Sequence, residues 1–182
     1  MNIKDYAVFV QSKLKPMTEE KHLLHMRMGI KGELGELVDA YKKHLVYGKV
    51  LDQANVREEL GDVMFYLVGL LPNTKFDSSH TNPLLKNTGL FKLLSPEAVM
   101  TLLLDYSDDL DKAAKKASLQ GEGNDILVTI MSELISYMGF TVEEVLQTNV
   151  DKLSKRYKGA YSDAEALNRD VEKERAILEK NL

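Results

Sequence analysis

Ile30, Leu34, Leu37, Val38, Tyr41 and Leu45 fall at helical spacing, so their side chains line one face of an α-helix. Val56, Leu60, Val63, Met64, Leu67 and Leu71 do the same a little further on. These two stripes predict helices over about 19–46 and 53–71, the first capped by Thr18 and ended by Gly48, the second closed by Pro72. Val, Ile and Thr form no alternating runs, which leaves little support for strands. The remaining apolar segments predict helices over about 3–14, 96–119, 125–138, 142–157 and 163–180. Ser95 with Pro96 starts the fourth of the seven in chain order, and Thr141 with Glu144 and Ser162 with Glu165 make capping boxes for the last two. Residues 72–95 are turn-rich and lack a period, and 121–124 read as a turn. The fold class expected is all-α.

Each of the two long helices carries the same acidic pattern. Ile30-x-x-Glu33-Leu34-Gly35-Glu36-Leu37-Val38 returns 26 positions later as Val56-x-x-Glu59-Leu60-Gly61-Asp62-Val63-Met64. Carboxylates three apart share a helix surface, and a short connection makes the helices antiparallel neighbours. The two pairs then converge into one cluster of four acids. Such a cluster repels itself unless cations enter it, and carboxylate oxygens suit hard ions such as Mg2+ or Mn2+. Mg2+ also binds phosphate oxygens, so a phosphoanhydride is the natural substrate. The competing reading is ordinary surface charge, which needs no ligand. Glycine lies between the acids each time and costs about 1 kcal/mol of helix stability relative to alanine. Close approach of a backbone or a ligand would account for it. Glu58 adjoins Glu59 and is expected to point elsewhere on the helix.

Asn149, Lys152 and Arg156 are spaced three and four apart on a later helix and share a face. Lys152, Lys155, Arg156 and Lys158 make a local basic cluster in a chain whose net charge is −4. A lysine supplies a point charge and an arginine a fork that matches phosphate; a solvated helix end favoured by the helix dipole is the plain alternative. The acidic balance argues against a general nucleic-acid binder. The longest clean apolar run, Val63 to Leu71, is too short to span a bilayer. The opening residues mix acids and bases with apolar groups and do not read as a secretory signal. With no cysteine in the chain, a cytoplasmic protein is expected.

The order Glu-x-x-Glu, Glu-x-x-Asp, then a late Asn149-x-x-Lys152-Leu153-x-x-Arg156-Tyr157 resembles the MazG-like nucleoside triphosphate pyrophosphohydrolases, of the all-α superfamily that includes the dimeric dUTPases. The resemblance covers about 20–71 and 125–170. It implies a helical bundle assembled as a homo-oligomer, dimer or tetramer. It implies Mg2+-dependent cleavage of a nucleoside triphosphate to monophosphate and pyrophosphate, with Mn2+ a plausible substitute. Carried onto this chain, it makes Glu33, Glu36, Glu59 and Asp62 the metal ligands. Lys152 and Arg156 would hold phosphate, with Asn149 close to the nucleotide. Glu36, with Glu33 beside it, is the carboxylate expected to orient or deprotonate the attacking water. Tyr157 and Tyr161 are candidates for stacking on a base.

Two departures stand out. Residues 72–124 intervene where simpler relatives proceed almost directly to their closing helices, and Lys158 stands where a proline usually follows Arg-Tyr. The expectation is a single MazG-like domain over 1–182, with an insertion around 72–124 and a tail helix at about 162–180. Residues 36–43 are similar to 109–116, and Gly48 corresponds to Gly121 at the same offset; the insertion thus resembles a degenerate second half-unit, as in dimeric dUTPases. Glu19-x-x-His22 has the form of half a di-iron site, but no second Glu-x-x-His follows. The glycine-rich loop of P-loop enzymes is missing. A dUTPase- or dCTPase-like enzyme of narrow pyrimidine specificity and a non-enzymatic helical binding or regulatory protein are the alternatives.

Overall fold

The computed structural model describes residues 1–70, 89, 91–120 and 124–180, with the side chains of 106, 109–111, 113–120 and 124–129 left aside. Eight helices and no strand occur among the described residues: α1 (Ile3–Lys13), α2 (Glu19–Leu45), α3 (Gln53–Leu70), α4 (Pro96–Gln120), α5 (Asn124–Tyr137), α6 (Val142–Arg156), α7 (Asp163–Leu167) and α8 (Val171–Glu179). The expected all-helical architecture is therefore present. Among the described residues, no helix is long and apolar enough to cross a membrane.

α3 is the axis of the bundle. α1, α2, α4, α5, α6 and α8 all pack on it. Its sequence dictates this: Val56, Leu60, Val63, Met64, Leu67 and Val68 are fully buried, and Ala54 and Gly61 are buried as well, so no broad face is left for solvent. Each such Val, Leu or Met side chain contributes about 1.5–3 kcal/mol when taken from water. α2 adds Met26, Ile30, Leu34 and Leu37 to the same core. α4 lies on α2, and α5 joins α3, α4 and α6.

The ends are set by local chemistry. Thr18 caps α2 by accepting from the Lys21 amide, and Gly48, at φ +65°, ends the turn after it. Asp52 caps α3 through the Asn55 amide at 3.1 Å. The capping box at Thr141 and Glu144 is complete, with both reciprocal bonds made. The expected loop at 72–95 and turn at 121–124 fall mostly outside the described residues, as does Gly121.

One helix differs from expectation. The tail does not run unbroken over 163–180. Asn168 turns its amide back to the Ala164 carbonyl at 2.8 Å, and Asp170 starts a new helix by accepting from the Lys173 amide. Both side chains bond nearby backbone in competition with the helix. At Ser162 only half of the capping box forms: Ser162 accepts from the Glu165 amide, while the Glu165 carboxylate accepts from the Lys158 amide. α8 then docks on α3 and α6. Leu178 is its buried anchor, and Arg57 of α3 donates to the carbonyls of Leu178 and Lys180. Those are end-of-helix carbonyls without helical partners.

Candidate metal and phosphate site

α2 and α3 lie side by side and turn their acidic patterns toward each other. One carboxylate oxygen each from Glu33, Glu59 and Asp62 lies within 4.8 Å of the other two. Glu36 is exposed and stands apart from this trio, but lines the same cavity of about 510 Å³. The structure thus brings three of the four expected acids into one cluster and places the fourth on the cavity wall.

The trio is electrostatically unsettled. Burial, and after it the charge of Asp62, pushes the Glu33 carboxyl up to about 7. Burial, then the hydrogen bond and charge of Glu33, pushes Glu59 up to about 9. Glu33 and Glu59 are hydrogen-bonded to each other. The donor set fits a hard divalent ion. All its atoms are carboxylate oxygens, the donors that hard divalent ions take, and they lie within 4.8 Å of one another.

Asp62 is the settled member. Its Oδ2 accepts from Lys152 Nζ at 2.5 Å and its Oδ1 from Asn149 Nδ2 at 2.7 Å. Both partners come from α6, and both are buried: Lys152 completely, Asn149 at 3% exposure. Neither lines the cavity. Lys152 therefore works here as an internal counter-ion, held from behind against Asp62 and, at 3.2 Å, Glu58. Gly61 makes the arrangement possible. A Cβ at this position would lie 3.0 Å from the Asn149 Cβ and 3.1 Å from its Nδ2. The glycine in the α3 pattern is thus explained by close approach of α6. The one in the α2 pattern is not: a Cβ at Gly35 would meet nothing within 4 Å.

Glu58 corrects an expectation. It does not point away: it accepts from Lys152, lies 3.5 Å from Arg169 and lines the acidic cavity. Glu58 and Asp62 are four residues apart, which itself places them on one helix surface.

Arg156 lines the cavity opposite the acids. Its fork is engaged by Glu174 of α8 through Nε at 2.8 Å and Nη2 at 2.7 Å. Burial alone would lower the guanidinium, but Glu174 outweighs it and holds the charge in place. Glu174 also accepts from Arg169 at 2.8 Å. Burial would raise Glu174; its hydrogen bonds with the two arginines pull it below the usual value. Arg169 and Glu174 belong to a tail that resembles MazG-like proteins, but the sequence alone gives them no role in the site, because they sit past the break in the tail. Sequence reasoning missed Tyr6, whose buried hydroxyl donates to Asn149 Oδ1 at 2.8 Å.

Aromatic groups complete the wall. Tyr157 and Tyr161 have ring centroids 5.4 Å apart, and Tyr66, Phe65 and His25 line the same cavity. Tyr66 needs Gly29, where any Cβ would overlap its ring. His22 Nε2 lies 2.9 Å from the Gly69 carbonyl of α3.

Residues 21–78 match the family model of the MazG nucleotide pyrophosphohydrolase domain. Over this segment the chain is MazG-like. The match takes in about a third of the chain and all four expected metal ligands, and stops before α6. The family model is that of a nucleotide pyrophosphohydrolase domain, and in this chain the matched segment carries the acidic cluster that could hold a metal ion. No curated protein and no solved structure matches the chain.

Proposed function

We propose that this MazG-like chain is a Mg2+-dependent nucleotide pyrophosphohydrolase that converts a (d)NTP to (d)NMP and pyrophosphate. One observation carries the reading: an undercompensated carboxylate trio, Glu33, Glu59 and Asp62, faces a cavity that also exposes Arg156 and Arg169. Acids for a divalent cation and guanidinium charge for phosphate then meet in one space large enough for a nucleotide.

Glu33, Glu59 and Asp62 would hold Mg2+, and Glu36, one turn along α2, stays outside that set on the cavity wall. Bound Mg2+ supplies charge neutralisation at the phosphates and a more acidic water. The chain's own residues do the rest. Glu36, exposed to the cavity, orients a water toward the α-phosphorus and accepts its proton. The new bond joins water oxygen to the α-phosphorus, and the bond from that phosphorus to the α–β bridging oxygen breaks. Arg156 faces the phosphates, and Arg169 adds a second guanidinium beside it. Lys152 and Asn149 contribute from beneath the surface by holding Asp62. Tyr157, Tyr161 and Tyr66 offer apolar surface to the base and keep water from the reaction centre. The reading includes a homo-oligomer, for which Leu24 and Met28, 54% and 65% exposed on α2, supply an apolar face.

The test is product analysis by chromatography with each common NTP and dNTP, in Mg2+ and in EDTA. Monophosphate and pyrophosphate in equal amounts, in Mg2+ alone, is the expected result. Turnover confined to dUTP or dCTP would move the assignment to the narrow pyrimidine enzymes. Diphosphate and inorganic phosphate would refute the attack at the α-phosphorus. No turnover and no Mn2+ binding would leave a helical binding protein.

A further inference from the structure

A line of buried polar groups runs from the N-terminal helix to the acidic trio. Tyr6 on α1 is fully buried, and its hydroxyl sits 2.8 Å from Asn149 Oδ1 and 3.4 Å from the Gly61 carbonyl. Asn149 Nδ2 in turn lies 2.7 Å from Asp62 Oδ1. The proton directions follow from chemistry. Asp62 accepts from the Lys152 ammonium on one oxygen and from Asn149 on the other, so the amide face toward it is the NH2. The face toward Tyr6 is then the carbonyl, and the tyrosine must donate. No other arrangement satisfies all three groups, and buried polar groups left unsatisfied are costly.

We propose that Tyr6 is a positioning residue for the cation site: it locks the Asn149 amide, which fixes the rotation of the Asp62 carboxylate toward Glu33 and Glu59. The inference rests on reading the trio as the cation site. Asp62 needs such a device more than its neighbours do. With Lys152 on Oδ2 and Asn149 on Oδ1, both oxygens are committed on the α6 side. Only the lone pairs that these bonds leave open can meet a cation. A carboxylate freed from Asn149 rotates toward Lys152 and Glu58 and withdraws an oxygen from the trio. α1 thereby becomes part of the cation site through the uncharged Tyr6 hydroxyl. Groups that orient metal ligands in this way commonly change metal affinity 10- to 100-fold when removed.

The experiment is Mn2+ titration of metal-free protein, by calorimetry and by loss of the free-ion EPR signal, well below the unfolding temperature. Tyr6→Phe removes one oxygen and keeps the ring in the core. Mn2+ affinity should fall at least 10-fold while the temperature of half-unfolding shifts by only a few degrees. In an Asn149→Ala background, Tyr6→Phe should bring no further loss, because the effect passes through the amide. Gly61→Ala approaches the relay from the other side, by crowding the Asn149 amide, and should also weaken Mn2+ if Tyr6→Phe fails to fold. Wild-type affinity in Tyr6→Phe or, failing that variant, in Gly61→Ala overturns the inference and leaves the cation site standing. Full loss in the Asn149→Ala background overturns it as well, since Tyr6 would then act by another route. A wild-type protein that binds no Mn2+ removes the cation reading itself.

Discussion

The same acidic pattern occurs twice, in nearly the same words, and the fold treats the copies differently. In α3, Glu59 is buried, Asp62 is held by two groups from α6, and Gly61 is pressed against Asn149. In α2, Glu33 is half-buried, Glu36 is exposed, and a Cβ at Gly35 would meet nothing within 4 Å among the described residues. The difference follows from position in the bundle. α3 is wrapped on every side by other helices, while α2 sits at the edge of the core and keeps a free face. Under the proposed function, the α3 copy serves as a fixed anchor for a cation. The α2 copy has room to meet a substrate, a water or a second chain.

The largest effect that would test this contrast is on turnover. Glu59→Gln removes a charge from the anchor, and we expect both Mn2+ affinity and kcat/KM to fall by a hundredfold or more. Glu36→Gln removes a charge from the open copy. Its kcat should fall about 10²–10⁴-fold, the range of a lost general base, while Mn2+ affinity changes little. Equal loss of affinity in both variants would erase the distinction, and full activity in both would displace the site.

A second effect appears in stability against pH. The folded-state carboxyls of Glu33 and Glu59 are raised to about 7 and about 9, from 4.5. Between those values the folded chain holds protons that the unfolded chain has released, so stability falls as pH rises from about 4.5 toward 9. Metal-free protein should therefore melt at progressively lower temperature from pH 5 to pH 9, and saturating Mg2+ should offset the decline by linkage. Glu59→Gln should flatten the slope, and Glu36→Gln should leave it. Glu174 runs the other way: its folded value is lowered, so its contribution is present above about 4.5 and lost as pH falls below. A flat metal-free profile from pH 5 to 9 would mean that the trio is better compensated than its geometry implies.

How much of this was legible beforehand depends on the range of the interaction. The helices, their caps and the pairing of the two acidic patterns follow from residues within a few turns of each other, as at Thr141 with Glu144 or Ile30 with Leu34. The tail break at Asn168 was equally local but was masked by helical spacing around it. The partners of the acids were harder. Tyr6 lies 143 positions from Asn149, and Arg57 lies 121 from Leu178. No spacing rule links such pairs; only the docking of α1, α6 and α8 onto α3 does. Lys152 shows the same limit, since its spacing placed it on a face with Arg156 and could not say that the face was buried at one end.

The glycines offer the smallest effect and the sharpest contrast. Helix propensity alone predicts that alanine in place of glycine adds about 1 kcal/mol within a helix. At Gly35 nothing opposes that gain, so Gly35→Ala should raise the stability of dilute, metal-free protein by about that amount in denaturant titration. At Gly61 the new methyl group meets Asn149 at 3.0 Å, and crowding in a packed interior costs about 1–3 kcal/mol. The gain should be cancelled or reversed, and Gly61→Ala should end level with wild type or below it. A loss at Gly35 measured at high protein concentration, and absent on dilution, would place a second chain against the open face of α2. A loss that persists on dilution would put a neighbour from this same chain there, and the two copies would no longer differ in the way their surroundings suggest.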